Sequence, residues 1–249
     1  MDILVYQDQG ADADCVQQSI TSLKAVFPES DYSIRTVDSN FLNQTSWEKN
    51  TFLLVMPGGR SLPYYEKLAP SGNKKIIDYV QNGGCYLGIC AGAYYASATT
   101  EFAKNQPLEV VCHGPLNFFS GIARGPVYHD EVFSYEKHGG AKLAKISYLC
   151  NQPIQIYSMY YHGGCHFVTA EQYANVEVIA RYEDLAEKPA AIIRCQVDKG
   201  IAILSGVHIE YSYRGIDERY AKPLAEALSE VENVRQQLFA NVLSGLIKL

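Results

Sequence analysis

No apolar run in this 249-residue chain approaches the roughly 18 residues that a membrane helix needs, so no membrane span is expected. Basic residues are outnumbered: 21 Lys and Arg stand against 27 Asp and Glu, for a net charge of −6. A chain without a basic excess makes a poor non-specific nucleic-acid binder. The start, Met1 to Tyr6, lacks the basic flank, long apolar segment and cleavage signal of a secretory leader and reads as a first strand. There is no dense disulfide framework either, since seven cysteines, an odd number, are spread from Cys15 to Cys195. A reducing, cytoplasmic location is therefore expected, although signal-independent export leaves no mark of this kind. No repeat and no low-complexity segment stands out. Tryptophan occurs once, whereas tyrosine occurs 19 times. Its flat apolar body and polar tip suit half-buried positions or a ligand groove. With 47% hydrophobic and 19% charged residues the chain can build a sizeable core, which excludes global disorder.

Up to about residue 100 the pattern alternates strand and helix. Ile3–Tyr6 is a short apolar run. Ala11 to Phe27 places Cys15, Val16, Ile20, Leu23, Val26 and Phe27 at helical spacing. Tyr32–Val37 alternates like a strand. Thr51–Met56 is a continuous apolar run, as in a buried parallel strand. A helix from about Asn73 to Gln81, capped by Ser71, leads to a strand at Cys85–Ile89 and a small-residue helix over Ala91–Ala98. This order predicts an α/β fold with a doubly wound parallel sheet. From Pro107 to Phe167 the pattern changes to short β-like runs broken by Gly and Pro (Leu108–Cys112, Leu143–Leu149, Pro153–Met159), which reads as a β-rich insertion. Strands follow at Val176–Tyr182, Ala190–Val197 and Ile201–Leu204, the last two joined by a hairpin at Asp198–Gly200. From Gly215 onward the chain reads as a helical tail, with Val234, Leu238, Val242, Leu243 and Leu246 on one face of Val231–Ile247. The expected organisation is one α/β domain over 1–249, with the insertion at 107–167 and the helical segment at 215–249.

Three segments carry chemistry. In Gly88-Ile89-Cys90-Ala91-Gly92-Ala93 a strand enters, one Cys is flanked by small residues and a helix leaves, the logic of a nucleophile elbow. The helix N-terminus favours a thiolate there. A buried structural cysteine is the plainer reading. In Leu204 to Glu210, His208 and Glu210 follow a strand, and residues two apart in extended chain point the same way, so the carboxylate can orient the imidazole. A lone His there would ordinarily be packing. Met56-Pro57-Gly58-Gly59-Arg60 ends another buried strand, and its glycines can turn backbone N–H groups toward a ligand, although Pro-Gly-Gly is also common turn material. All three fall at one sheet edge, where open α/β sheets bind ligands.

Together these segments resemble the class I glutamine amidotransferase-like fold, of flavodoxin-like doubly wound type. They are most similar to the N-terminal amidotransferase-like domain of eukaryotic-type biotin-protein ligases. The resemblance runs through Met56–Arg60, Leu62-Pro63-Tyr64, Tyr86–Tyr95, Phe118–Gly121, Gly125-Pro126, Tyr161–Gly164 and Leu204–Tyr211. It implies a Cys90 nucleophile, a His208 base and a Glu210 orienter, with Gly59 and Ala91 offering N–H groups to an oxyanion and Gly58 and Arg60 beside them. It implies acyl transfer from a small amide or peptide-like substrate through a thioester, without a cofactor. A separate acceptor or synthetase protein is a further candidate partner. Tyr94 stands where glutaminases of this class commonly carry Gln, and Cys90 and His208 are farther apart in sequence than in compact glutaminases. Too few residues follow Tyr211 for the catalytic half of a biotin ligase, so biotin attachment is not expected. A catalytically silent ligand-binding or regulatory module of the same fold is the alternative.

Other candidates are weaker. His162-Gly163-Gly164-Cys165-His166 has metal-type ligands, but its glycines and lack of helix argue against zinc, leaving Gly163 and Gly164 as a loop lining the site or as plain structure. No metal requirement is expected. Asp8, Asp12 and Asp14 read as helix-capping carboxylates near the same edge. Arg60 could pair with an anionic ligand group or stand in solvent.

Overall fold

The computed structural model describes residues 1–128, 133–136 and 138–246; Ile247, at the end of the C-terminal pattern, lies outside them, as do 129–132 and 137 of the β-rich region. The described residues form thirteen strands and seven helices. In order they are β1 (Asp2–Tyr6), α1 (Ala13–Val26), β2 (Ser33–Val37), α2 (Ser39–Gln44), β3 (Thr51–Met56), α3 (Ser61–Leu68), α4 (Ser71–Gln81), β4 (Cys85–Ile89) and α5 (Ala91–Tyr95). Then come β5 (Ser97–Phe102), β6 (Val110–His113), β7 (Phe119–Gly125), β8 (Lys142–Tyr148), β9 (Gln155–Tyr161), β10 (His166–Phe167), β11 (Val176–Tyr182), β12 (Ala190–Val197), β13 (Gly200–Ser205), α6 (Glu218–Glu230) and α7 (Glu232–Ser244).

The sheet runs β2-β1-β3-β4-β13-β12-β10-β7-β5-β6, and β11, β8 and β9 branch from β12. Strands β2 through β13 in this order are parallel. Alternation along the central strands explains the doubly wound layering. Ile3, Val5, Leu53, Val55, Leu87, Ile89, Ile201 and Ile203 face one side, where Val16 and Leu23 of α1 pack with Leu238, Phe239, Val242 and Leu243 of α7. Leu4, Tyr6, Leu54, Met56, Tyr86, Ala202 and Leu204 face the other, against α2, α3, α4 and α5. Both faces are covered, so these strands read as continuous apolar runs. The β12–β13 hairpin at Asp198–Gly200 is present.

Several local expectations differ. Helix α4 starts at Ser71, which does not cap it; the Ser71 hydroxyl instead donates to Asn43 Oδ1 at 2.8 Å. Helix α5 ends at Tyr95, and the β-rich stretch begins at Ser97, as Thr99, Thr100 and Phe102 suit a pleated surface. The segment from Gly215 becomes α-helical only at Glu218, capped by Asp217, and bends at Ala221 just before Pro223, whose ring disfavours helical backbone ahead of it. Val234 is exposed, whereas Leu238, Val242, Leu243 and Leu246 are buried as the pattern requires. Helix α3, carrying Leu62-Pro63-Tyr64, has no counterpart in the sequence-based reading. Among the described residues no helix is long and apolar enough to cross a membrane.

Candidate active site

Cys90 sits between β4 and α5 with φ 50° and ψ −104°, a strained backbone for a non-glycine residue. The surroundings hold it there. Its N–H donates to Ser205 O at 2.8 Å, and the Gly92 N–H donates to Pro57 O at 3.2 Å. Gly92 has to be small because a Cβ would collide with the Met56 carbonyl, and one on Gly88 would meet the Gly92 carbonyl. The elbow is therefore clamped between the ends of β3 and β13.

The Pro57-Gly58-Gly59 turn is equally constrained. Gly59 has φ +138°, and a Cβ there would strike the Gly10 carbonyl oxygen. A Cβ on Gly58 would stand 2.6 Å from His208 Cε1 and 3.0 Å from Cys15 Sγ, so the imidazole is seated directly on this glycine. The Tyr64 hydroxyl of α3 braces the turn by donating to Pro57 O at 3.1 Å. Gly59 faces Ala11 as a bridge whose flanking bonds are Asp12 N–H to Gly58 O and Arg60 N–H to Gly10 O. Among the described residues no hydrogen bond uses the N–H of Gly59 or of Ala91, so both remain available to a ligand.

His208 lies just past β13, buried, with its N–H on Tyr160 O at 2.9 Å. Its Nδ1 is 2.9 Å from Glu210 Oε1. A carboxylate only accepts, so Nδ1 carries the hydrogen and Nε2 is left for chemistry. Burial works against a charged imidazole, but the Glu210 carboxylate, with Cys15 and Cys90 adding to it, carries His208 well above the ordinary histidine value. Cys90 is thus close enough to influence the imidazole, although in this conformation its Sγ lies 3.6 Å from His162 O as a donor. Such looseness is common in ligand-free catalytic sites.

Cys90, His208, Gly59, Ala91, Tyr94, Gly163 and Arg60 all line one cavity of about 460 Å³. Its wall is rich in aromatic side chains, including Phe102, Phe133, Tyr135, Tyr160 and Tyr211. Three of the expected site residues do not line the cavity: Glu210, which is buried behind His208, Gly58 and Gly164. Gly58 lies behind the imidazole. Gly164 is packed against Gly206, where any Cβ would overlap the Gly206 carbonyl oxygen. Tyr94 is 3% exposed, and its hydroxyl donates to Gly163 O at 3.1 Å, so it secures the 162–164 loop. Exposed Arg60 stacks over the Tyr135 ring, 4.3 Å from its centroid. Asp12 does cap α1, accepting from the Cys15 N–H at 3.0 Å, while Asp8 accepts from Ser39. His162 donates Nε2–H toward Ser134 O at 2.8 Å and Gly139 O at 3.0 Å. Burial, and then the charge of His208, lower His162 to about 4, so it stays neutral.

Sequence reasoning missed Tyr160, Cys15 and the aromatic cover. Tyr160 stacks on Tyr211 with centroids 4.3 Å apart, and the pair walls the imidazole. Cys15 Sγ is 3.9 Å from His208 Nδ1, and burial pushes its thiol up to about 12. Its position in the first turn of α1, which follows the loop after β1, was the available signal, since that edge also carries the Gly-Gly turn.

A family model described as biotin-protein ligase, N terminal, matches residues 1–248. A protein of Chlamydia muridarum (strain MoPn / Nigg), described as uncharacterized, is 36% identical over 99% of this chain and 96% of its own length. A biotin–protein ligase of Schizosaccharomyces pombe (strain 972 / ATCC 24843) is 38% identical over 93% of this chain, which spans only 37% of that enzyme. A crystal structure of a glutamine amidotransferase superposes with a TM-score of 0.57 at 16% identity, covering 90% of this chain and 99% of the other, a likeness of fold.

Proposed function

The chain belongs to the biotin-protein ligase N-terminal family, and from that premise we propose that it is a cysteine-dependent amide hydrolase or acyl transferase of amidotransferase type. The observation that carries this reading is the buried His208, oriented by Glu210 at 2.9 Å, on the same cavity wall as the strained Cys90. In the proposed cycle Cys90 Sγ gives its proton to His208 Nε2 and attacks the amide carbonyl. The oxyanion is held by the N–H groups of Gly59 and Ala91. His208 then passes its proton to the leaving nitrogen, the C–N bond breaks and a thioester remains. Water, deprotonated by His208, attacks that thioester, and Cys90 departs as the thiolate while the acid is released. Glu210 holds the imidazole by Nδ1 and balances its charge whenever it is protonated.

The substrate class this cavity fits is a small amide with an apolar or aromatic acyl part, because its wall is rich in aromatic and aliphatic side chains. The competing reading, a ligand-binding module without turnover, draws on the Sγ of Cys90 resting at the His162 carbonyl. Incubation of the protein with a pool of amide metabolites, followed by intact-mass spectrometry, separates the two. The expected result is an acyl adduct on Cys90, or release of the amine, in the native protein, with both absent in Cys90→Ala. Non-covalent binding with no adduct and no released amine in any variant would favour the module.

A further inference from the structure

Cys15 takes no part in this acyl-transfer scheme, yet it stands against the same imidazole. It opens α1, held there by Asp12, and its Sγ lies 3.9 Å from His208 Nδ1, the atom that also binds Glu210 Oε1 at 2.9 Å. One ligand atom each from Cys15, His208 and Glu210 lie within 4.8 Å of one another. A second observation points to a ligand. Among the described residues Glu210 Oε2 is buried without any hydrogen-bond partner. A buried carboxylate oxygen with no donor is costly, and a cation would satisfy it. Cys15 and His208 both border the cavity, which gives an ion a way in.

The donor set selects the kind of ion. One thiolate, one imidazole and one carboxylate suit zinc and its borderline-soft relatives, whereas magnesium and calcium prefer oxygen alone. Zinc takes these donors at roughly 2.0–2.3 Å, so the Cys15 thiol has to draw in while the hydrogen-bonded Nδ1 and Oε1 part slightly to admit the ion. We propose that Cys15, His208 and Glu210 form a site for a divalent cation of the zinc class, and that its occupation inhibits the enzyme. On binding, the Cys15 thiol releases its proton to water, and the single hydrogen of the neutral imidazole shifts from Nδ1 to Nε2, which frees Nδ1 to coordinate the ion. An Nε2 that already carries hydrogen cannot accept the proton of Cys90 or of water, so the general base is lost. Inhibition rests on the hydrolase reading; metal binding does not.

The test is a cobalt titration of protein stripped with EDTA. One Co²⁺ per chain is expected, with tetrahedral visible bands and a near-ultraviolet thiolate-to-cobalt absorption, and zinc should displace it. The spectrum should persist in Cys90→Ser. The thiolate band should be absent in Cys15→Ser, and cobalt binding should need at least tenfold more metal in Glu210→Gln, two variants so that a folding defect in one leaves the other to decide. A thiolate band unchanged in Cys15→Ser, or lost in Cys90→Ser, would place the ion on another sulfur and overturn the site, as would failure to bind one equivalent. Where an amide substrate is turned over, zinc should lower the rate and EDTA should restore it. A measurable rate indifferent to bound zinc would remove the inhibitory role. Failure to find any turnover would count against the hydrolase reading while the cobalt spectrum still decides the site.

Discussion

A single methyl group added at position 58 measures how tightly the imidazole is seated. The Cβ of Gly58→Ala would lie 2.6 Å from His208 Cε1, so the ring has to move. Small displacements of a catalytic group cost on the order of 10²-fold in rate, and overpacking costs about 1–3 kcal/mol. Gly58→Ala is therefore expected to lose about 10²-fold in kcat/KM for an amide substrate, with only a modest drop in melting temperature. His162 makes a second prediction at this scale, and the sign follows from its depressed value. The folded protein keeps it neutral down to about 4, while the unfolded chain protonates it near 6.5. Between those values the unfolded state binds more protons, so stability falls as pH drops through that window, by on the order of 3 kcal/mol in all. Urea unfolding at pH 7 and pH 4.5 should show a smaller acid loss in His162→Asn, which keeps a side-chain donor for Ser134 O but does not titrate.

Among the elements, α7 does more than cover the sheet. Its Arg235 is 2% exposed, donates to Ile209 O at 2.8 Å and Ser22 Oγ at 3.1 Å, and pairs with Glu232 at 2.8 Å. Ser22 in turn donates to Glu210 O at 2.8 Å. The C-terminal helix and α1 thus grip the backbone of the His208–Glu210 segment from behind. Removing one partner of a buried ion pair costs about 3–5 kcal/mol. Arg235→Met should lower unfolding free energy by about that amount in urea titrations. In whatever fraction remains folded it should reduce kcat more than it changes KM, because substrate does not touch Arg235. The sequence displayed the helical face of α7 but not this role, since an Arg in a helix is ordinarily solvated and its burial follows from which strand end it meets.

At the scale of the whole molecule, the β-rich region supplies much of the wall around Cys90. Strand β9 brings Tyr160 against His208, and the turn after it brings His162 and Gly163 over the elbow. Arg60 is the only Lys or Arg among the described residues of the cavity wall, against Asp12, Asp14 and Glu109. A free amino acid would find little to bind its carboxylate, and the Tyr94 hydroxyl is already engaged with Gly163. Free glutamine is accordingly expected to release ammonia far below about 1 per second, the low end of ordinary turnover, and at the same rate in Cys90→Ala. Steady-state ammonia release well above that, and dependent on Cys90, would show that the aromatic cover admits glutamine.

What the sequence determined by itself was local. The short continuous apolar runs of β1, β3, β4 and β13, the small residues around Cys90 and the two-residue step from His208 to Glu210 each depend on neighbours along the chain, so the parallel sheet and the three site segments were legible. The tertiary structure alone decided the pairing of β8, β9 and β11 on the antiparallel wing, the approach of Tyr160 and Cys15 to His208, the packing role of Gly164 and the hidden grip of Arg235. Apart from the β8–β9 hairpin, each of these joins residues far apart in sequence. Their side chains look like ordinary core or surface choices until the sheet brings the strand ends together, and it is that closure, not local pattern, that puts a second thiol beside the imidazole and a buried arginine behind the backbone that carries it.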